Sequence, residues 1–176
     1  STGGWVSFAL QVFYPGCFNG AWSFSADPVD FHHMQLVNMY EDKNAFYNPH
    51  AYLTPSVRSK TGQPRISIKD EVAGENIQSK ENTYTTSGGQ WGGWNALYSP
   101  KGENGLPLAA FHPVSGTIDS LVVKNWKKYD LLYILKQNWE SLGPKLQGKL
   151  WFWMGDMDQF YLNNAMREMD VFLKST

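Results

Sequence analysis

The chain has 176 residues, about the length of one domain, and it is 42% hydrophobic and 18% charged, which excludes a disordered polymer. Fifteen basic and 16 acidic residues give a net charge of -1, and the chain lacks the basic run that a nucleic-acid-binding protein carries. No apolar stretch reaches the roughly 18 residues of a membrane span, and a single cysteine, Cys17, excludes an internal disulfide and a cysteine-rich metal site.

The first two predicted elements are a helix and a strand. Apolar residues between Trp5 and Phe13 recur at helical spacing, and a strand alternation fits the same stretch. Pro15 and Gly16 end the pattern as they end a helix, so we predict a helix. Residues 20–26 alternate aromatic and small side chains and predict a strand that stops at Asp27.

The middle of the chain, residues 28–125, has no steady hydrophobic period. Prolines interrupt it, a weak helix is predicted at 67–80, and a glycine-rich run at 88–105 contains Trp91 and Trp94. A long irregular segment within a compact domain is typical of a lid or a binding insertion. We therefore predict a lid-like insertion over 28–125, with a decorated surface loop as the alternative.

The last third predicts a helix, a strand and a second helix. Leu132, Leu135, Trp139 and Leu142 mark an amphipathic helix that Gly143-Pro144 should end. Residues 150–154 are apolar on both faces, which is typical of a strand in a parallel sheet covered by helices. A second apolar stripe at 162–173 predicts another helix. The order indicates an α/β fold, but two strands bury too little to stand alone. Either the insertion contains more strands, or the chain is part of a larger domain.

Candidate catalytic residues follow from these elements, because ligands of open α/β sheets bind beyond the carboxyl ends of the strands. Asp27 follows the first strand, and Asp156 and Asp158 follow the second. Capping of the next helix is the alternative role for Asp158. At the start, Ser1-Thr2-Gly3 precedes a helix as in the second half of a nucleophile elbow, where the Thr2 N–H would help to bind an oxyanion; a frayed terminus is the alternative.

Several stretches resemble a bacterial putative esterase family within the α/β-hydrolases, near the enterochelin-esterase-like and S-formylglutathione-hydrolase-like enzymes. They are Ser1-Thr2-Gly3-Gly4-Trp5, Tyr14-Pro15, Asp27-Pro28-Val29-Asp30-Phe31, Ser87-Gly88-Gly89-Gln90-Trp91, Gly148-Lys149-Leu150, and the stretch from Gly155-Asp156 through Asp158-Gln159-Phe160-Tyr161-Leu162 to Asn164. The resemblance spans nearly the whole chain. It implies that Ser1 is the nucleophile and Asp158 the acid of a catalytic triad, with Asp156 as the second choice for the acid.

The same resemblance implies that a histidine is missing. The order in the family is serine, acid, histidine, with the histidine on a loop after one more strand, yet no histidine follows Asp158. All four histidines precede it: His32, His33, His50 and His112. We therefore expect residues 1–176 to be the C-terminal part of one α/β-hydrolase domain, a partial fold that runs from the nucleophile elbow to just past the acid. The histidine and the strands before Ser1 would lie on another chain, be cleaved off, or be absent.

The function implied is a serine hydrolase that cleaves carboxylic esters through an acyl-enzyme, incomplete without the histidine. Asp27, Trp91 and Trp94 are the predicted substrate-binding residues, and no cofactor or metal is expected. The expected partner is a small-molecule ester, and a second chain that carries the rest of the domain is a further candidate partner. Nucleic acids and membranes are not expected partners. Localisation is open, with a periplasmic or secreted protein favoured slightly over a cytoplasmic one.

Two other functions remain open at this point. An N-terminal-nucleophile hydrolase would use the Ser1 amine as its base, and it requires Ser1 to open a strand. A non-catalytic carbohydrate-binding module would use Trp91 and Trp94 to stack on sugars. The first is distinguished by the conformation of the first segment, and the second by the exposure of those two rings.

Overall fold

The computed structural model describes residues 1–176 as a mixed α/β structure. The strands are β1 (Ala21–Phe24), β2 (Pro55–Arg58), β3 (Pro64–Ser67) and β4 (Leu150–Trp153). The helices are α1 (Thr2–Phe13), α2 (Ile68–Gln78), α3 (Gln90–Tyr98), α4 (Ser120–Lys124), α5 (Leu131–Leu146) and α6 (Asn163–Lys174), with short 3-10 turns at Phe31–His33, Tyr84–Thr86 and Asn125–Lys128. None of the helices has the length and apolar character needed to span a bilayer.

Strands β1 and β4 pair in parallel, as the sequence predicts. Their register runs from Ala21 opposite Leu150 to Phe24 opposite Trp153. The ladder continues past the strands, because the Ser25 N–H donates to the Trp153 carbonyl at 2.9 Å. The chain segments that follow β1 and β4 therefore leave the sheet at the same side, where the carboxyl ends of both strands lie. We call this side the carboxyl edge of the sheet.

One face of this sheet is covered by α1. The alternation of β1 turns Ala21 and Ser23 inward, and the Ser23 hydroxyl donates to the Gly4 carbonyl at 2.9 Å. From α1, the Phe8 ring stacks on Phe152 of β4, with ring centroids 6.0 Å apart. Gly4 is what permits the close approach, since a Cβ there would lie 2.5 Å from the Phe24 carbonyl oxygen.

The opposite face of the sheet is open and aromatic. Trp22 and Trp151 stack across the strands at 5.0 Å, and Phe24 and Trp153 stack at 4.9 Å. Their exposed fractions range from 39% to 58%. The prediction that helices cover both faces is wrong here, and we call these four residues the aromatic face.

Residues 28–125 are more ordered than the sequence indicates. They contain the antiparallel pair β2–β3 and helices α2, α3 and α4, and they contribute large buried side chains to the same hydrophobic core as α1, α5 and α6. Six of these core side chains are Phe31, Met34, Phe46, Tyr84, Trp91 and Phe111. This segment is therefore less irregular than expected and much of it is core, while its role as a lid-like insertion stays a prediction.

The sequence pattern did not predict β2 and β3, because each strand begins with a proline, Pro55 and Pro64 respectively. A proline donates no ladder hydrogen bond, but it is tolerated at the first position of a strand. Gly62, with a φ of +85°, lies in the connection between the two strands. The weak pattern at 67–80 did predict α2, whose N-cap is Ser67.

The end of α5 also differs from its prediction. The helix continues through Gly143 and Pro144 to Leu146, and its backbone departs from helical geometry earlier, at Asn138 (φ -127°, ψ 18°). Gly143 has a packing role, since a Cβ there would lie 2.9 Å from the Trp139 ring. The remaining predicted elements, α1, β1, β4 and α6, are confirmed.

The contact between α1 and β1 makes a stability prediction. Gly4→Ala should lower the free energy of unfolding by about 1–3 kcal/mol, because the new methyl group meets backbone that cannot move aside. Gly3→Ala is the matched control in the same helix, where the nearest atom to a Cβ is the Ser1 hydroxyl at 3.7 Å. It should be neutral or stabilise by up to about 1 kcal/mol. Urea denaturation measures both, and equal effects would contradict the packing described.

Candidate functional site

Ser1 lies at the carboxyl end of β1, held there by backbone contacts. It is the N-cap of α1, and its carbonyl accepts the N–H groups of Gly4 at 3.0 Å and of Asp27 at 3.2 Å. Its backbone nitrogen lies 3.0 Å from Asp27 Oδ1 and donates to the Ser25 carbonyl. Because Ser1 opens a helix, the condition for an N-terminal-nucleophile hydrolase, a strand that starts at Ser1, is not met.

The start of α1 presents free N–H groups. The first N–H groups of a helix have no acceptor within it, and those of Thr2 and Gly3 make no hydrogen bond elsewhere in the protein. The Thr2 hydroxyl donates to Asp27 Oδ2 at 2.9 Å. The Thr2 N–H predicted to bind an oxyanion is thus unoccupied, at the positive end of the helix dipole.

Asp158 lies on the loop that follows β4, and this loop leaves the sheet at the same end as the segment that follows β1; no hydrogen bond joins Asp158 to Ser1. Its Oδ1 accepts the N–H groups of Phe160 at 3.0 Å and Leu162 at 3.1 Å, so it stabilises the turn that leads into α6. Its Oδ2 has no hydrogen-bond partner. The capping role and a free carboxylate oxygen therefore coexist in one side chain. Asp156, the second choice for the acid, is highly exposed and pairs with Arg167 at 3.1 Å.

Arg58, at the end of β2, fixes this acid loop. Its Nε donates to the Asp158 carbonyl at 2.8 Å, and its Nη2 donates to Asn163 Oδ1 at 2.7 Å and to the Asp156 carbonyl at 3.4 Å. The guanidinium also lies 4.4 Å from the centroid of the Tyr161 ring. Sequence reasoning missed Arg58 because it lies about a hundred residues before the loop, in a strand hidden by its proline.

A cleft of about 690 Å³ adjoins the start of α1. Its walls come from Thr2, Asp27, the start of α3 and the outer side of that helix. Of the three predicted substrate-binding residues, Asp27 and Trp94 line the cleft. Trp91 does not line the cleft and is fully buried, with its ring centroid 5.0 Å from that of Phe111. Trp94 is only 2% exposed, so neither ring offers a face on which a sugar can stack.

A buried carboxylate shapes the start of α3 beside this cleft. Glu75 accepts the N–H groups of Trp91 at 2.8 Å and Gly92 at 2.9 Å, and it accepts the Ser87 hydroxyl at 2.7 Å. A Cβ on Gly89 would lie 2.4 Å from the Glu75 carboxyl carbon. Gly89 is thus required for the helix to begin directly against this carboxylate.

None of the four histidines makes a hydrogen bond with Ser1 or Asp158. His32 and His33 both use Nδ1 to contact the Asp30 carboxylate, at 2.7 Å and 3.0 Å. His112 Nδ1 accepts two N–H groups of its own turn, and His50 lies in an exposed loop. None of these contacts therefore identifies a histidine that would accept the Ser1 proton in the predicted triad.

Asp30, His32 and Asp130 form a compact cluster with metal-ligand chemistry, their nearest ligand atoms all within 4.8 Å of one another. Each group already has hydrogen-bond partners. Asp130 caps α5 through the Tyr133 N–H at 2.9 Å, and it also accepts the Tyr40 hydroxyl. These hydrogen bonds account for the burial of both carboxylates, so the cluster is explained as a structural network.

The pKa values of the groups in this network shift in different directions. Burial works against ionisation of Asp30, but hydrogen bonds from His33 and His32 outweigh it and lower the Asp30 pKa. The hydrogen bond to Asp30 raises the pKa of His33 against the opposing effect of burial; the negative charges of Asp30 and Glu168 raise it further, and the positive charge of Lys136 lowers it. Burial raises the pKa of Asp130.

Comparisons with protein-family models, with curated proteins and with solved structures found no match.

The His33 contact predicts a pH dependence of stability. A histidine whose pKa is raised by folding stabilises most below its unfolded pKa, near 6.5, and this stabilisation is lost as the pH rises through the folded value. We expect a loss of about 1 kcal/mol or less above pH 6.5, since the ring is half-exposed. The loss should disappear in His33→Gln and persist in His50→Gln. A His33→Gln curve with the wild-type slope would contradict the assignment.

The Arg58 contacts predict a local stability effect. Arg58→Ala should cost about 2 kcal/mol, because it leaves two carbonyls and one amide without their charged donor. Hydrogen exchange should then accelerate at residues 156–163. Arg65→Ala, an exposed arginine in the paired strand β3, is the matched control and should change neither quantity. Unchanged exchange in Arg58→Ala would show that the loop is held by other contacts.

Proposed function

We propose that this chain carries the nucleophile and the acid of a serine hydrolase that cleaves carboxylic esters. The observation that carries the proposal is the arrangement at one sheet edge. Ser1 begins a helix against the end of β1, and Asp158 begins the turn after the neighbouring parallel strand β4. Catalytic groups of open α/β sheets lie at this edge.

The proposed mechanism assigns a step to each group. Ser1 Oγ attacks the ester carbonyl while a histidine takes the hydroxyl proton, and the same histidine then protonates the departing alcohol. The free N–H groups of Thr2 and Gly3 stabilise the oxyanion, aided by the α1 dipole. Asp158 Oδ2, which has no other partner, accepts the second ring N–H of that histidine. Water then releases the acid from the Ser1 ester by the reverse sequence.

None of the four histidines contacts Ser1 or Asp158, so we propose that the histidine of the triad comes from elsewhere. The resemblance implies a histidine on a loop after one more strand. Strand β4 pairs only with β1, so the lateral side of β4 that faces away from β1 has no strand partner. The aromatic face adds a second surface that a polypeptide partner would cover, because parallel sheets are normally buried on both faces. We therefore propose that a partner segment completes the sheet and supplies the base.

The proposal is tested by adding the base externally. With p-nitrophenyl acetate, the 176-residue chain alone should hydrolyse no faster than Ser1→Ala, since general-base catalysis is worth about 100- to 10,000-fold. Imidazole at increasing concentration should restore a rate in the wild type that exceeds the rate of Ser1→Ala under the same conditions.

Two results would contradict this account in different ways. No Ser1-dependent rate at any imidazole concentration would contradict the assignment of Ser1 as the nucleophile. Ser1-dependent hydrolysis without imidazole would show that the base lies within this chain, and the need for a partner would be withdrawn.

A further inference from the structure

The lateral side of β1 that faces away from β4 has backbone donors without acceptors. The N–H groups of Ala21 and Ser25 donate to carbonyls in and directly before β4, at 2.8 Å and 2.9 Å. Because successive residues of a strand turn their backbone groups to opposite sides, the N–H groups of Trp22 and Phe24 point away from β4. Neither makes a hydrogen bond. The Trp22 carbonyl on the same side accepts the hydroxyl of the exposed Ser7, at 3.2 Å.

Strand β1 lacks the features with which proteins protect an exposed strand edge. Such edges usually carry charged side chains, prolines or bulges, which prevent pairing with another chain. The antiparallel pair β2–β3 has all three, since each strand begins with proline, Arg58 and Arg65 lie in the strands, and the register is irregular. Residues 18–26 contain no charge and no proline, and β1 follows β4 in an unbroken register. The free side of β1 is therefore open to an incoming strand.

A groove of about 320 Å³ lies between the outer side of α1 and the residues that precede β1. Its walls include the apolar side chains of Val6, Leu10 and Phe18, which are 40% to 42% exposed. Ser7 also lines the groove, and its hydrogen bond to the Trp22 carbonyl shows that the groove adjoins the free side of β1. Helix α1 has no charged residue and is apolar on its outer side as well as its buried side, which is typical of a covered helix.

We infer that the free side of β1 binds an extended apolar peptide segment of a partner protein, which pairs with β1 as an additional strand. The N–H groups of Trp22 and Phe24 lie two residues apart, about 6.6 Å along a strand. The carbonyls on one side of an extended peptide recur at the same spacing, so they match these two donors. Main-chain pairing of this kind supplies affinity, and side-chain pockets along the edge supply specificity.

The groove determines the side chains of the occupant. The alternate residues of an added strand that point inward meet Val6 and Leu10, so they are aliphatic or aromatic. A second copy of β1 does not fit this requirement, because its own inward residues, Ala21 and Ser23, are too small to fill the groove. The site is on the opposite lateral side of the sheet from β4 and its proposed partner segment. The inference therefore stands apart from the esterase assignment.

The test is amide hydrogen exchange of the isotopically labelled chain, followed by NMR. The probe is the capped hexapeptide lysine-valine-isoleucine-valine-isoleucine-lysine. The control peptide has proline at its two central positions, which blocks both of its edges because adjacent residues point to opposite sides. The probe should slow exchange at Trp22 and Phe24 about tenfold in a saturable way, since each N–H gains an acceptor. Ala21 and Ser25 already donate within the sheet and should change little. The control peptide should have no effect.

Two pairs of variants separate the backbone donor from the groove. Trp22→Pro removes an N–H that faces the peptide and no hydrogen bond to β4, so it should weaken probe binding about tenfold. Trp22→Thr keeps that N–H and should bind within about threefold of the wild type. Leu10→Lys places a charge in the groove and should also weaken binding about tenfold. Ile77→Lys, at an exposed apolar residue of α2, should leave binding unchanged. If Trp22→Pro fails to fold, Leu10→Lys still decides the question.

The outcomes separate this inference from the proposed function. Unchanged exchange at Trp22 and Phe24 with the probe, equal protection by the proline peptide, or undiminished binding by Leu10→Lys would each overturn the peptide site. Protection that rises with protein concentration in the absence of peptide would assign the edge to a second copy and would also overturn it. Ser1→Ala should bind the probe as the wild type does. Probe binding without Ser1-dependent hydrolysis would leave the site standing and remove the esterase, and hydrolysis without probe binding would do the reverse.

Discussion

The parallel pairing of β1 and β4 is the constraint on which the rest of the structure depends. Because the two strands run in the same direction, the segments after Phe24 and Trp153 leave from one edge. A backbone hydrogen bond from Ser25 to Trp153 extends the pairing up to that edge. An antiparallel pair would separate the loop of Asp158 from the helix start at Ser1 by the full length of a strand.

Asp27 couples this edge to the cleft. Its carboxylate contacts the Ser1 nitrogen and the Thr2 hydroxyl, so it fixes the first turn of α1 against the end of β1. The same side chain lines the cleft that α3 closes on the other side. Arg58 plays the corresponding part at the second loop, where it bonds two carbonyls around Asp158. The two loops are thus held by one buried acid and one arginine, neither of which belongs to the proposed catalytic pair.

The sequence predicted the elements that have a strong period and failed where tertiary contacts replace it. The helical stripe from Trp5 and the apolar run at Leu150 identified α1 and β4. Strands β2 and β3 escaped because each starts with proline, and α3 escaped because its glycines lower helix propensity. Gly89 and Gly92 are required by partners distant in the sequence, since a Cβ would meet the Glu75 carboxyl group at Gly89 and the Tyr84 carbonyl oxygen at Gly92. The free Oδ2 of Asp158 and the clamp by Arg58 likewise depend on geometry that no local pattern encodes.

The most direct test of the central arrangement is the set of NMR ring-to-ring contacts across the aromatic face. The parallel register predicts nuclear Overhauser effects between the rings of Trp22 and Trp151, and between those of Phe24 and Trp153. The opposite pairing, Trp22 with Trp153 and Phe24 with Trp151, would make the strands antiparallel. It would place Asp158 at the edge away from Ser1 and contradict the account.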